Sequence, residues 1–163
     1  MKLDKIMVPL DGSPLAEAAI PKAVELAQGP LATLVLLRAA EAHSFPLADP
    51  TEAQVAVVRE AEEYLTAVAA RLRETGVKNV QTTVWYGTPA PAIVEAAQVA
   101  KVDLIVMSTH GRSGLGRLVL GSVAESVLRG TRTPILLLRS NEAPLEAPKG
   151  AGRAQPTKEA AHV

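Results

Sequence analysis

Cysteine is absent from the chain, and that absence removes whole chemistries at once. No disulfide framework, thiolate zinc site, iron–sulfur cluster or cysteine nucleophile can be built. Aromatic residues are almost absent too: Phe45, Tyr64, Trp85 and Tyr86 complete the set. The core must therefore be aliphatic, and the stacked aromatic platforms of single-strand nucleic-acid binders are not available. Nor does one sign of charge dominate. Lys plus Arg and Asp plus Glu both number 17, so the formal net charge is zero. Nucleic-acid domains carry a basic face or a high pI, so any nucleotide bound here must be held by local geometry rather than by a global field. Two further absences concern location. No run approaches the roughly 18 apolar residues that span a bilayer, and Met1 to Ile6 lacks the apolar segment of a secretory signal. The expected setting is the cytoplasm, which the missing cysteines also suit.

What is present is a regular alternation of short apolar runs and helical patterns in a chain of 163 residues, the size of one domain. Ile6 to Leu10 reads as a buried strand. Asp11-Gly12-Ser13-Pro14 is a turn, with Ser13 placed to cap and Pro14 suited to the first helical position. The helix is expected from Pro14 to about Gln28, where Gly29-Pro30 stops it. Thr33 to Ala39 is a second strand. A long helix follows over about Thr51 to Thr75, with Val55, Val58, Ala61, Leu65, Val68 and Leu72 on one face and Gly76 as its C-cap. Val80 to Trp85 is a third strand, and Thr88-Pro89 opens a helix reaching about Ala100. Leu104 to Met107 is a continuous apolar strand of the kind covered on both faces. Ser122 to Glu125 has capping-box spacing and opens a last helix to about Arg129. Pro134 to Arg139 is the fifth strand. From Asn141 onward three acidic and three basic residues sit among Pro, Ala and Gly, and 141–163 reads as a flexible tail beyond a domain of 1–140. An inert tail suits that composition better than a partner-docking segment.

Strict βα alternation implies a parallel sheet with helices on both faces. Ligands of such open sheets bind beyond the carboxyl ends of the strands, where the winding reverses. That directs attention to two turns, Leu10 to Ser13 and Ser108 to Ser122. In the second, Gly111, Gly114, Gly116 and Gly121 let backbone approach a ligand and turn amides inward into an anion-binding nest. The helix opening at Gly121-Ser122 adds unpaired amides and a positive dipole end. Ser122 adds a hydroxyl, and Arg112 or Arg117 a charge. A plain flexible loop is the competing reading; the strand before and helix after favour phosphate. Neither the P-loop G-x-x-x-x-G-K-[ST] nor G-x-G-x-x-G is satisfied.

The spacing does resemble that of the universal stress protein family. Ser108-Thr109-His110-Gly111, nine residues and Gly121-Ser122 fit G-x2-G-x9-G-[ST], the signature of the family's ATP-binding branch. Ile6-Met7-Val8-Pro9-Leu10-Asp11-Gly12-Ser13 and Thr133-Pro134-Ile135-Leu136-Leu137-Leu138 resemble its opening and its ending, so the likeness runs over about residues 1–140. It implies a single-domain, Rossmann-like open sheet of five parallel strands in the order 3-2-1-4-5. It also implies a site for ATP with Mg²⁺ carried by the phosphates. Asp11 would accept from the ribose hydroxyls, Pro9 would line the adenine pocket, and the Ala39 backbone would meet the adenine edge. Gly111, Arg112, Gly121, Ser122 and Val123 would hold the phosphates, and Leu10, Met107, Ser108 and His110 would belong to the same nucleotide site. A homodimer through the last strand, Ile135–Leu138, is implied as well. One position departs: Ser108 stands where the family carries its first glycine, which points to retained but weakened ATP binding.

Several residues have plainer readings. Asp11 in Asp-Gly-Ser-Pro can simply make an Asx-turn. His110 reads better as a turn-shaping residue than as a base, and Trp85-Tyr86 better as core or rim packing than as a stacking site. The expected function is a regulatory nucleotide-binding stress protein, with ATP hydrolysis slow at most, rather than a dedicated enzyme. A member that has lost ATP and acts only as a dimer is the alternative, kept open by Ser108. A serine hydrolase is the remote one: Gly111-Arg112-Ser113 opens like a nucleophile elbow, but the closing position is Leu115, and only His162 follows as a base.

Overall fold

The structure, a computed structural model, describes residues 3–41, 50–109 and 121–139. Strands β1 (Lys5–Pro9), β2 (Thr33–Ala40), β3 (Val80–Tyr86), β4 (Leu104–Ser108) and β5 (Ile135–Leu138) form one sheet in the order β3-β2-β1-β4-β5. All four strand pairings are parallel. Helices α1 (Pro14–Glu17), α2 (Ile20–Leu26), α3 (Pro50–Glu74), α4 (Pro89–Ala100) and α5 (Ser122–Gly130) make the crossovers. The expected fold class is thus the observed one.

Strand alternation divides the core between the two faces of the sheet. Ile6, Val8, Leu34, Leu36 and Val106 face α1, α2 and α3, whose Ala16, Ala23, Leu65, Val68 and Ala69 pack on them. Met7, Val35, Leu37, Ile105 and Met107 face α4 and α5, where Ile93, Ala96, Ala97, Ala124 and Val127 cover them. Alanines at six of these helical positions, Ala16, Ala23, Ala69, Ala96, Ala97 and Ala124, let the helices sit close to the sheet with few aromatics to fill space. Trp85 packs against the second cluster, as rim packing predicts, while Tyr86 is 55% exposed.

Three local expectations are corrected. The helix expected over Pro14 to Gln28 is broken into α1 and α2. Pro21 has no amide to give the Glu17 carbonyl, and its ring crowds that carbonyl, so the chain turns at Ala18-Ala19. Val55 is 57% exposed rather than buried, because α3 meets the core only from Ala61 onward. The capping box at Ser122 does not form: Gly121 is the N-cap, without a side-chain bond, and Ser122 is the first helical residue. At the other helix starts, Ser13 Oγ accepts from the Ala16 amide at 3.1 Å as expected. Thr88 holds the N-cap of α4 but makes no side-chain cap bond. The N3 position it would serve is Pro91, which has no N–H.

Candidate functional site

Helices switch sides between β1 and β4, and a cavity of about 500 Å³ opens there, beyond the carboxyl ends of the strands. Nine residues singled out in the sequence line it: Pro9, Leu10, Asp11, Ala39, Met107, Ser108, Gly121, Ser122 and Val123. His110, Gly111 and Arg112 lie outside the described residues, as do Ser113, the tail 141–163 and most of the glycine-rich turn.

Each wall follows from local structure. β1 ends at Pro9, and Leu10 donates its amide to the Leu37 carbonyl at 2.8 Å. Gly12 follows at φ +83°, the left-handed region that glycine enters without strain. That turn carries Asp11 to the cavity, where its Oδ1 accepts from the Ser13 amide at 2.9 Å. The Asx-turn therefore exists, and it fixes the carboxylate at the cavity wall; the two readings of Asp11 are compatible.

On the neighbouring strand, register makes Ala39 special. Alternate residues of β2 turn their peptide groups toward β1: the Thr33 amide donates to Asp4 and the Leu37 carbonyl accepts from Leu10. The same alternation turns the N–H and C=O of Ala39 to that side, one step beyond the last β1 partner, Pro9 opposite Leu37. A donor and an acceptor thus stand side by side at the crevice.

The opposite wall is the start of α5. Glu125 is the first residue bonded within the helix, its amide donating to the Gly121 carbonyl at 2.9 Å. The amides of Ser122, Val123 and Ala124 precede it and have no intrahelical acceptor. All three residues line the cavity. The Gly121 amide donates to Thr109 at 2.7 Å, and Thr109 donates to Leu138 at 2.9 Å, so β4, β5 and α5 are tied at this corner. The start of α4 also borders the cavity through Pro89 and Ile93. Pro89 and Pro91 strip that helix end of two of its donors.

Sequence reasoning missed the charged wall. Arg38, Glu41 and Glu60 line the cavity with Asp11. Arg38 bonds Glu60 Oε1 at 3.0 Å, and its guanidinium lies 5.0 Å from the centroid of the Tyr64 ring. Tyr64 donates to Glu17 at 2.8 Å, and Arg71 bonds the other Glu17 oxygen at 2.8 Å. Burial, then the bond to Glu17 and its charge, push the Tyr64 phenol well above its ordinary value, against the opposing pull of Arg38. The available signal was Arg38 itself, the one charge inside the apolar run Thr33 to Ala40.

Among the described residues, no group of three or more His, Asp or Glu side chains is arranged to hold a metal ion. No helix among them is long and apolar enough to cross a membrane.

A doubly wound parallel sheet with a polar crevice at its switch point defines a Rossmann-like α/β domain. The profile of the universal stress protein family matches residues 2–139, and the chain belongs to that family. It is 35% identical over 140 residues to universal stress protein MJ0531 of Methanocaldococcus jannaschii, covering 83% of this chain and 81% of that protein. The solved structure of protein MJ0577 superposes with a TM-score of 0.72 at 25% identity, over 83% of this chain and 95% of the other. A universal stress protein crystallised in complex with cAMP superposes with a TM-score of 0.63 at 26% identity, over 82% and 95%.

Proposed function

We propose that this chain is a cytoplasmic regulatory protein whose cavity binds an adenine nucleotide, ATP in the first place. The observation that carries the reading is the meeting of three groups in one crevice: the first-turn amides of α5, the Asp11 carboxylate and the outward peptide groups of Ala39. Helix-start amides suit phosphates. An ionised carboxylate is acceptor-only and suits a vicinal diol. An adjacent N–H and C=O match the acceptor and donor on the adenine edge. The cAMP-bound relative supports an adenine ligand. Mg²⁺ would travel on the phosphates, as it often does with few protein ligands. Among the described residues the cavity walls offer no nucleophile–base pair, and occupancy rather than turnover is the proposed output, with hydrolysis slow at most.

Isothermal titration with ATP·Mg²⁺ tests this. Saturable one-site binding is expected; no heat at micromolar protein and millimolar nucleotide would sink the proposal. A second reading, a dimeric module without nucleotide, is favoured by Ser108 alone, where the family signature carries glycine. Mass spectrometry of ligand released from the purified, denatured protein separates the two. In both readings a second copy pairs with β5, whose Ile135 to Leu138 are apolar and only half-buried at the sheet edge. Sedimentation at about 17 kDa, the mass of one chain, would contradict the dimer.

A further inference from the structure

We infer that Arg38 gives the cavity a second anion subsite, suited to a phosphate ester on the 2′ or 3′ oxygen of a bound adenine nucleotide. The inference rests on the nucleotide reading above and extends it to the other end of the ligand, away from α5. Arg38 leaves β2 one residue before Ala39 and lines the same cavity as Asp11. Its side chain is only 12% exposed. The Tyr64 ring supports it from one side, and Tyr64 is itself anchored on Glu17. The guanidinium is therefore held in place before any ligand arrives.

Its counter-ion is not held in the same way. Glu60 is 69% exposed and reaches Arg38 from α3 through a single 3.0 Å contact. An exposed carboxylate swings back into water at little cost, because surface ion pairs are weak. The mostly covered Arg38 guanidinium has less such escape and favours an anion beside it. A phosphate monoester presents several oxygens to the planar fork and makes a better partner than one carboxylate oxygen. Glu60 then acts as a placeholder that a ligand phosphate displaces.

Asp11 and Glu41 line this end too and oppose a free anion. An ester on the ribose differs because base and 5′-phosphate carry it to the guanidinium. One oxygen of Asp11 is already committed to the Ser13 amide, which leaves the other for the remaining hydroxyl.

The test is titration of the full chain with ADP, adenosine 3′,5′-bisphosphate and adenosine 2′,5′-bisphosphate, in wild type, Arg38→Met and Glu60→Gln. For at least one bisphosphate, Arg38→Met is expected to lower affinity about tenfold relative to ADP, the scale of a lost charged hydrogen bond. Glu60→Gln, at an exposed position, is expected to raise the same ratio several-fold. ADP binding with both ratios unchanged overturns the Arg38 subsite alone. Failure of ADP to bind wild type overturns the nucleotide reading beneath it.

Discussion

The Gly121 amide donates to the Thr109 carbonyl at 2.7 Å, closing the glycine-rich turn at its base. This bond sets the start of α5 against the end of β4. Gly121 has φ −57°, which proline also adopts, so Gly121→Pro deletes the donor while keeping the backbone angle. One net hydrogen bond is worth about 1 kcal/mol, and the melting temperature should fall by roughly 2–4 °C. ATP affinity should fall more than that loss accounts for, about tenfold or beyond. An unchanged Kd by titration would show that the helix start does not hold the phosphates.

Asp11→Asn keeps an oxygen for the Ser13 amide and removes the charge. Stability should change by less than about 1 kcal/mol, since the turn bond survives. Asp11→Ala loses the turn bond as well and should melt lower. The sharper measurement is discrimination between ATP and 2′-deoxy-ATP. Wild type should prefer the full diol, and Asp11→Asn should lose most of that preference. Equal preference in both proteins would remove Asp11 from the ribose.

Ser108 is half-buried at the carboxyl end of β4, on the cavity wall. Its side chain occupies volume that the family signature leaves to a glycine. Ser108→Gly is therefore expected to bind ATP several-fold more tightly, at some cost in stability from the freed backbone, roughly 0.5–1 kcal/mol. Weaker binding in the variant would mean that the hydroxyl is itself a ligand contact.

Tyr64 makes alkaline stability measurable. Its folded pKa lies above the unfolded value of about 10. A raised pKa means that the stabilisation is fully present below pH 10 and is lost as pH climbs through the folded value. In a Tyr86→Phe protein Tyr64 is the only tyrosine left. Its phenolate absorbance should rise only above pH 10 while the chain stays folded. Tyr64→Phe should flatten the pH dependence of melting in that range. Phenolate formation at pH 10 in the folded single-tyrosine protein would contradict the half-buried bond to Glu17.

Much of the frame was legible because period and punctuation agree. The apolar runs at Ile6 to Leu10 and Leu104 to Met107 became the central strands, and Ser13-Pro14 became a capped start. Legibility ended where a local signal met a neighbour that the pattern does not encode. Pro21 falls at a helical spacing that ignores its missing amide. Val55 continues the apolar stripe of α3 past the point where the sheet supports it. Ser122 has the right partner at Glu125, but Gly121 takes the cap one position earlier. Of the cavity-lining positions, Ser108, Gly121 and Ser122 were legible through spacing and Pro9, Asp11 and Ala39 through the family resemblance, whereas Arg38 and Glu60 come together from β2 and α3, 22 residues apart.

Among the helices that border the crevice, α5 keeps its first amides and α4 begins Pro-Ala-Pro. The consequence is directional. On the proposed reading, an elongated anionic guest would find donors at α5 and a mute wall at α4, and its charged end would go to α5. Two prolines, by saying nothing to charge, give the crevice its polarity.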